Sequence, residues 1–470
     1  MALSDTTVPS TRALLTELFT AATAAAAPGP ALASRLRSLE IDPKRRIWVV
    51  ALGKAALPMA RTAVEVLRAH GPGPAGGLVV APVAGERLHP LIDTVPGDHP
   101  EPGPRSLAAA EALAALASQV GPADEAWVLL SGGTTSLVGA PEAGITPAEL
   151  TSMYSLLLGS GLDIAAMNRI RKRFSRWGGG KLARALAPAR VRVYIVSDVI
   201  GDELASIGSG PCVPDPTHAA DVRALLQSTG LWSKLPESAR QAVVSAESGE
   251  TAETPKPGDQ AFARVTLELV ASNKLALEAA ARRAAELGLA PSVVDTPLAG
   301  EASAAGASVA ASLLNNCVRL PIPQPTAGSR SKTHGQTGRI CLIWGGETTV
   351  TLGQGSTGLG GRCQELALAA ARVLDSAPPG TALLVAGTDG RDGPTDAAGA
   401  IVDGTTWSGI AAQGRNPARD LATHDAYHAL DAVGALLRPG LTGTNVMDVV
   451  IGICDAKIAA FLTDASLTAA

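Results

Sequence analysis

Aromatic side chains are scarce. Phenylalanine, tyrosine and tryptophan together make up 3% of the 470 residues. The core must therefore be built from Ala, Val, Leu and Ile, which suits close helix-on-sheet packing better than a β-sandwich. Charge is thin as well, at 17% against 46% hydrophobic residues, the balance of a packed globular protein and not of disorder. No block of basic residues runs along the chain. The densest cationic stretch is RIRKRFSR at 169–176 and the formal net charge is −4, so neither suggests a nucleic-acid partner. The five cysteines, Cys212, Cys317, Cys341, Cys363 and Cys454, form no CxxC and no Cys/His cluster. Neither a disulfide framework nor a zinc site is expected; reduced cytosolic thiols are. No stretch reaches the roughly 18 consecutive apolar residues of a membrane span. The N-terminal Ala run lacks a basic leader and is interrupted by Glu17. It reads as an amphipathic helix that starts near Ser10 or Thr11 and ends at Pro28–Gly29, not as a signal peptide.

A chain of this length predicts roughly two or three domains. Short apolar runs recur at 46–53, 76–83, 125–133, 191–199, 339–346 and 381–390, with Ala-rich helical segments such as 55–70 and 106–120 between most of them. Continuous apolar strands alternating with helices predict an α/β fold with mainly parallel sheets covered on both faces. In such sheets ligands bind at the carboxyl ends of strands. Most of these runs end in chemistry-bearing residues: Gly53–Lys54, Ser131–Gly132–Gly133, Ser197–Asp198, Gly345–Gly346–Glu347 and Gly387–Thr388–Asp389–Gly390. That coincidence is the main sign of one shared active site. The Pro/Gly/Ser-rich stretch 320–338 reads as a dispensable surface loop. A second break near 246–259 puts the domain boundary somewhere in 215–260.

Lys54 sits where a strand end meets a helix start, where an ammonium can join helix amides in holding an anion; the alternative is a snorkelling lysine. SGGTTSL at 131–137 offers free backbone amides for a carboxylate or phosphate, or is an ordinary turn. Asn168 and Arg171 lie in a cationic stretch that could clamp an anionic substrate, while Lys172 and Arg173 read as a solvated helix face. Asp198 and Asp202, four apart past a strand, suit Mg²⁺ through oxygen ligands and waters. Gly353, Gly355 and Gly358 satisfy G-x-G-x-x-G, but the strand-end acid, Asp389, comes 36 residues after Gly353, too far for the dinucleotide fingerprint. The loop continues through Gly360 and Gly361 to Arg362 in the first helical turn, which fits phosphate binding without a nicotinamide and predicts an arginine that serves the ligand and not the core. GTDGRDGPTDAAGA (387–400) brings Asp389, Asp392 and Asp396 together among glycines.

These segments together resemble the class II glycerate kinases, whose C-terminal part is the MOFRL domain. The matching pieces are GKAALPMA, GDHPEPG, LLSGGTTSLVGAP, MNRIRKRFSRWGGGKLA, SDVIGDELASIGSGPCVPDPT, ASNKLALEAA with GEA, GGETTVTLGQGSTGLGGRCQELALAAA, GTDGRDGPTDAAGA and GLTGTNVMD. The resemblance implies two α/β domains, expected at 1–240 and 260–470, with an active-site cleft between them and the last helix a candidate to pack back on the first domain. It implies transfer of the ATP γ-phosphate to the 2-hydroxyl of D-glycerate with Mg²⁺ in the cytoplasm, with no nucleic-acid or membrane partner and a homodimer left open. Lys54, Arg362 and Asp389 are the implied catalytic groups. Ser131, Gly132, Gly133, Asn168 and Arg171 would bind substrate; Gly345, Gly346, Glu347, Gly360 and Gly361 the nucleotide; Asp198 and Asp202 the metal. The alternatives are an NAD(P)-dependent hydroxypyruvate reductase and a non-catalytic ligand-binding regulator. Against the family pattern, Thr134 and Thr135 stand for Gly and Ser, Gly178 for Lys, Cys363 for Asn, Leu441 for Pro and Met447 for Asn. Kinase chemistry is expected to survive these changes, with substrate choice less fixed.

Overall fold

The computed structural model describes residues 10–70, 73–319, 338–353 and 358–455. It divides into two compact units, Pro28–Ala271 and a second made of Met1–Ala27 with Ser272–Ala470. The chain opens in the second unit with α1 (Thr11–Ala25), capped by the Ser10 side chain as the sequence predicts. It enters the first unit at α2 (Pro28–Arg37), where Pro28 begins a new helix instead of merely ending the old one. The first unit then runs β1 (Ile47–Leu52), α3 (Ala56–His70), β2 (Gly76–Ala81), β3 (Ile92–Pro96), α4 (Pro104–Ala117), β4 (Glu125–Leu130), α5 (Thr134–Leu137), α6 (Pro147–Leu158), α7 (Ile164–Phe174), α8 (Lys181–Leu186), β5 (Arg190–Val196), α9 (Ala219–Ser228), α10 (Glu237–Glu247) and β6 (Val265–Ala271).

The first sheet is parallel throughout, in the order β3-β2-β1-β4-β5-β6. Every residue of β1, β2 and β4 is buried, which is why these strands are unbroken apolar runs and not alternating ones. The chain leaves β1 toward β2 on one side and returns to β4 on the other. The order therefore reverses between β1 and β4, and the carboxyl ends of those two strands form the topological switch point where doubly wound sheets bind ligands.

The second unit continues with α11 (Asn273–Glu286), β7 (Ala290–Val293), α12 (Ala302–Arg319), β8 (Arg339–Gly346), α13 (Arg362–Leu374), β9 (Ala382–Gly387), β10 (Gly399–Asp403), α14 (Thr406–Ala412), α15 (Pro417–Ala422), α16 (Ala426–Asp431), β11 (Leu436–Leu437) and β12 (Asp448–Asp455). Its sheet order is β11-β10-β9-β12-β8-β7. This second sheet is mixed: β12 lies antiparallel between β8 and β9, β10 is antiparallel to β9 and β11, and β7 and β8 pair in parallel. Helices α12 and α13 pack through small residues, with Ala310, Ala367, Ala370 and Ala371 fully buried. A larger side chain there would overpack the contact, at a cost of about 1–3 kcal/mol.

Two expectations on domain limits change. The first unit runs past residue 240 to Ala271, because β6 pairs along β5. Helix α1 leaves it, because its face of Leu14, Leu15, Leu18 and Phe19 is buried within the second unit. There Arg12 Nη2 donates to Leu436 O at 3.2 Å, Thr444 Oγ1 to Ala26 O at 2.6 Å, and Arg283 Nε to Glu17 at 2.9 Å. It is thus the first helix that crosses over. The last helix, expected to do so, lies outside the described residues, as does nearly all of 320–338. The reduced-thiol expectation is corrected too. Cys317 and Cys454 form a disulfide between α12 and β12, with Cα atoms 6.2 Å apart across 137 positions of sequence, a separation that leaves no spacing signal. Cys212, Cys341 and Cys363 are free and buried. No helix among the described residues is long and apolar enough to cross a membrane.

Candidate functional site

At the switch point of the first sheet, Gly53 leaves β1 and the Ser131–Gly133 turn leaves β4. The two turns are tied together: Lys54 N donates to Gly132 O at 2.9 Å and Ala55 N to Ser131 Oγ at 2.9 Å. Thr134, one of the departures from the family pattern, donates its hydroxyl to Leu52 O at 3.0 Å and Ser131 O at 2.8 Å, so it serves the turn and not a ligand. The Lys54 side chain is exposed. Asp198 follows β5 and comes so close to Gly132 that a Cβ there would overlap its Oδ2. Burial raises the Asp198 pKa against the opposing pull of Lys54. Gly133, at φ +84°, lies where a Cβ would be 3.1 Å from His99 Cδ2 and 3.4 Å from Lys54 Cγ. His99 is partly desolvated there. That desolvation, with the Lys54 ammonium, holds its pKa below the ordinary imidazole value. Five of the expected residues, Lys54, Ser131, Gly132, Gly133 and Asp198, thus meet on one strand edge, and His99 joins them. The sequence reading missed His99 as a site group; its signal was the GDHP segment, which carries no spacing pattern of its own.

The neighbouring helix α7 separates its expected residues. Arg171 lines a cavity that reaches Gly133 and Thr135, whereas Asn168 is buried and is not among that cavity's lining residues. Lys172 and Arg173 are buried and not solvated, a correction. Arg173 pairs with Glu253 at 2.6 Å. Burial lowers the Lys172 pKa, with Asp215 and Glu203 acting the other way. Lys181 is also structural: it pairs with Glu142 and donates to Ser175 O at 2.7 Å. Asp202 sits in the turn after Asp198 at φ +54°. Among the described residues no group of three or more His, Cys, Asp or Glu gathers as a metal site.

In the second unit Arg362 opens α13, as expected, but its guanidinium is engaged. Nε and Nη2 donate to the two oxygens of Asp448 at 2.8 and 3.0 Å, and Nη2 lies 3.1 Å from Glu347. Desolvation opposes its charge, yet the Asp448 pair outweighs that and raises the Arg362 pKa. The amides expected to meet a phosphate are engaged as well: Cys363 N donates to Asp392 Oδ1 at 3.1 Å and Gln364 N to Oδ2 at 2.8 Å. Gly361 is required because a Cβ there would strike Asp392. Burial raises the Asp392 pKa to about 7 even against those two donors. The three aspartates of 387–400 therefore divide. Asp392 caps α13, Asp396 binds Arg438 and Tyr427, and Asp389 accepts only the Arg391 amide at 3.0 Å through its side chain among the described residues. Gly345 and Gly346 are crowded by Asn273 and Leu298, and Gly360 lies against the 424–426 turn; these glycines fit the backbone's own packing.

Over residues 14–244 the chain matches the model of a domain of unknown function (DUF4147), and over 340–448 that of the MOFRL family. It is 37% identical over 420 residues to the glycerate 2-kinase of Pyrococcus horikoshii, covering 89% of each chain. The chain belongs to the glycerate kinase family. A crystal structure of the glycerate kinase of Thermotoga maritima matches this family member with a TM-score of 0.81 at 35% identity, over 93% of this chain and 98% of that one. An Agrobacterium vitis protein provisionally named a hydroxypyruvate reductase is 37% identical over 94% of both chains.

Proposed function

We propose that this glycerate kinase family member transfers the γ-phosphoryl group of ATP to the 2-hydroxyl of D-glycerate, with Mg²⁺. The observation that carries the reading is the convergence of Lys54, His99 and Asp198 on the Ser131–Gly133 turn at the sheet's switch point. Phosphoryl transfer needs little covalent help from a protein; it needs positioning and charge neutralisation. Lys54 offers an exposed ammonium to a phosphoryl oxygen, and the turn beside it offers backbone to an anion. His99, with its pKa held down, presents a neutral imidazole that can take or give a hydrogen bond at a hydroxyl near neutral pH. The Asp198 carboxylate takes no side-chain donor among the described residues, and its hard oxygens suit Mg²⁺. That ion is commonly held by one or two carboxylates together with substrate phosphates. Asp198 with Asp202 would hold it, and it would neutralise phosphate charge.

Arg171 and Asn168 are the proposed substrate groups of this unit. In the second unit Arg362 is the proposed phosphoryl-stabilising group, Asp389 orients the acceptor hydroxyl or aids the metal, and Gly345–Glu347 with Gly360–Gly361 border the nucleotide. The reductase reading gains less support. A dinucleotide pyrophosphate needs the free amides of a helix N-terminus, and those of α13 are occupied by Asp392. A cytoplasmic setting belongs to the same proposal; the homodimer stays an open alternative that light scattering after gel filtration reads. The test of the reaction is the product of incubation with ATP, Mg²⁺ and D-glycerate. Phosphorus–proton coupling in NMR to a single methine proton identifies the 2-phosphate, and coupling to the methylene protons would overturn the assignment.

A further inference from the structure

Beside the Ser131–Gly133 turn, between α6 and α7, lies a cavity of about 320 Å³. At roughly 30 Å³ per water it has the volume of about ten waters, ample for a three-carbon hydroxy acid. Its wall is mainly apolar and includes Pro102, Gly133, Thr135, Tyr154, Leu158 and Arg171. Two polar atoms of these side chains are buried without a hydrogen-bond partner: Tyr154 Oη and Arg171 Nε. Buried donors left unpaired are costly, and in native structures each calls for an explanation such as an absent ligand. Among the described residues no carboxylate pairs with Arg171. Its guanidinium carbon stands 5.2 Å from the Tyr154 ring centroid, so the two side chains act as one unit. Tyr154 is 8% exposed and belongs to the helical core with Leu150, Met153 and Phe174, which fixes the hydroxyl in place. Burial raises the phenol's pKa to about 12, so it keeps its proton at any working pH.

Gly133 lines this cavity, and a Cβ placed on it would lie 3.1 Å from His99 Cδ2 and 3.4 Å from Lys54 Cγ. An acceptor lodged here would have one end in the cavity and its reacting hydroxyl toward Lys54. We infer that Tyr154 and Arg171 form the acceptor-reading pair of this site: Arg171 takes the carboxylate of a 2-hydroxy acid, and Tyr154 Oη hydrogen-bonds the hydroxyl on C3, so the cavity selects a hydroxymethyl over a methyl at that carbon. The inference rests on the glycerate reading above and adds the means of selection. A site built to hydrogen-bond a hydroxyl rejects the analogue that lacks it, because its own polar group is then left unpaired.

The experiment compares kcat/KM for D-glycerate and D-lactate, which lacks only the 3-hydroxyl, in the wild type and Tyr154→Phe. Phenylalanine keeps the ring in the core, so a thermal midpoint near the wild type is expected. The wild type should favour D-glycerate by about 10²-fold or more. Tyr154→Phe should narrow that ratio at least about tenfold, mainly by raising KM for D-glycerate, with D-lactate little changed. Arg171→Gln should raise KM for both acids alike. If Tyr154→Phe turns over D-glycerate with an unchanged ratio, the phenol only buttresses α6 against α7 and the inference is overturned while the kinase reading stands. If the wild type phosphorylates neither acid, the glycerate reading fails and the inference with it.

Discussion

Lys54 and Arg362 carry the same charge but differ in what each has left to offer a ligand. Lys54 is exposed and has no ion pair among the described residues, so Lys54→Ala should lower kcat by roughly 10²-fold or more and leave the thermal midpoint where it was. Arg362 is held by Asp448, which is 4% exposed. Arg362→Ala would strand that carboxylate in the interior, so unlike a purely ligand-facing residue it should also destabilise the fold by about 1–3 kcal/mol. Adding Asp448→Asn removes the stranded charge and should restore most of the denaturant midpoint. It should not restore kcat, which stays roughly 10²-fold down if the guanidinium also meets phosphoryl charge. Recovery of both in the double variant would make Arg362 a partner of Asp448 and nothing more.

At the scale of elements, α13 depends on a residue from a distant loop. Its first amides are capped by Asp392, whose carboxyl is pushed by burial from the ordinary 3.8 to about 7. A carboxyl with a raised folded-state pKa keeps its proton in the native protein where the unfolded chain has lost it. Stability should therefore fall as pH rises from about 4 to about 7 and level off above that. Urea midpoints at pH 5 and pH 8 should differ in that direction, and Asp392→Asn should flatten the difference; an equal slope in the variant would contradict the assignment. The disulfide between α12 and β12 closes a span of 137 positions. Cys317→Ser, or a reductant, should cost about 2–4 kcal/mol in a urea titration of the second unit's transition. No response to reductant would mean that the thiols are free in solution.

For the whole molecule, what could be read from sequence follows from what each signal encodes. Strands β1, β2, β4, β5, β8 and β9 were readable because burial on both faces makes them continuous apolar runs. β12 was as apolar, in DVVIGICD, but no helix alternated with it to mark it as part of the sheet. Strands β3 and β7, shorter and part-exposed, gave no run at all. Lys54, Gly132 and Asp198 were legible because strand ends collect ligand groups in this fold class. His99 was not, since it reaches the same edge from the loop after β3, a strand the sequence did not reveal. The expectation of free amides at the α13 N-terminus was local reasoning overturned by tertiary structure: 29 positions separate Cys363 from the Asp392 that takes its amide. The departure at Thr134 likewise resolves only in the fold, where its hydroxyl ties the turn to β1.

The central claim is that the edge around Lys54 performs phosphoryl transfer to a small hydroxy acid and not hydride transfer. The most direct measurement runs two assays on one preparation: coupled ADP release with ATP, Mg²⁺ and D-glycerate, and NAD(P)H oxidation with hydroxypyruvate, each with the wild type and Lys54→Ala. The account predicts ADP release that depends on D-glycerate and falls roughly 10²-fold in Lys54→Ala, with no nicotinamide oxidation in either protein. Hydroxypyruvate-dependent oxidation of NAD(P)H without ADP release would contradict it.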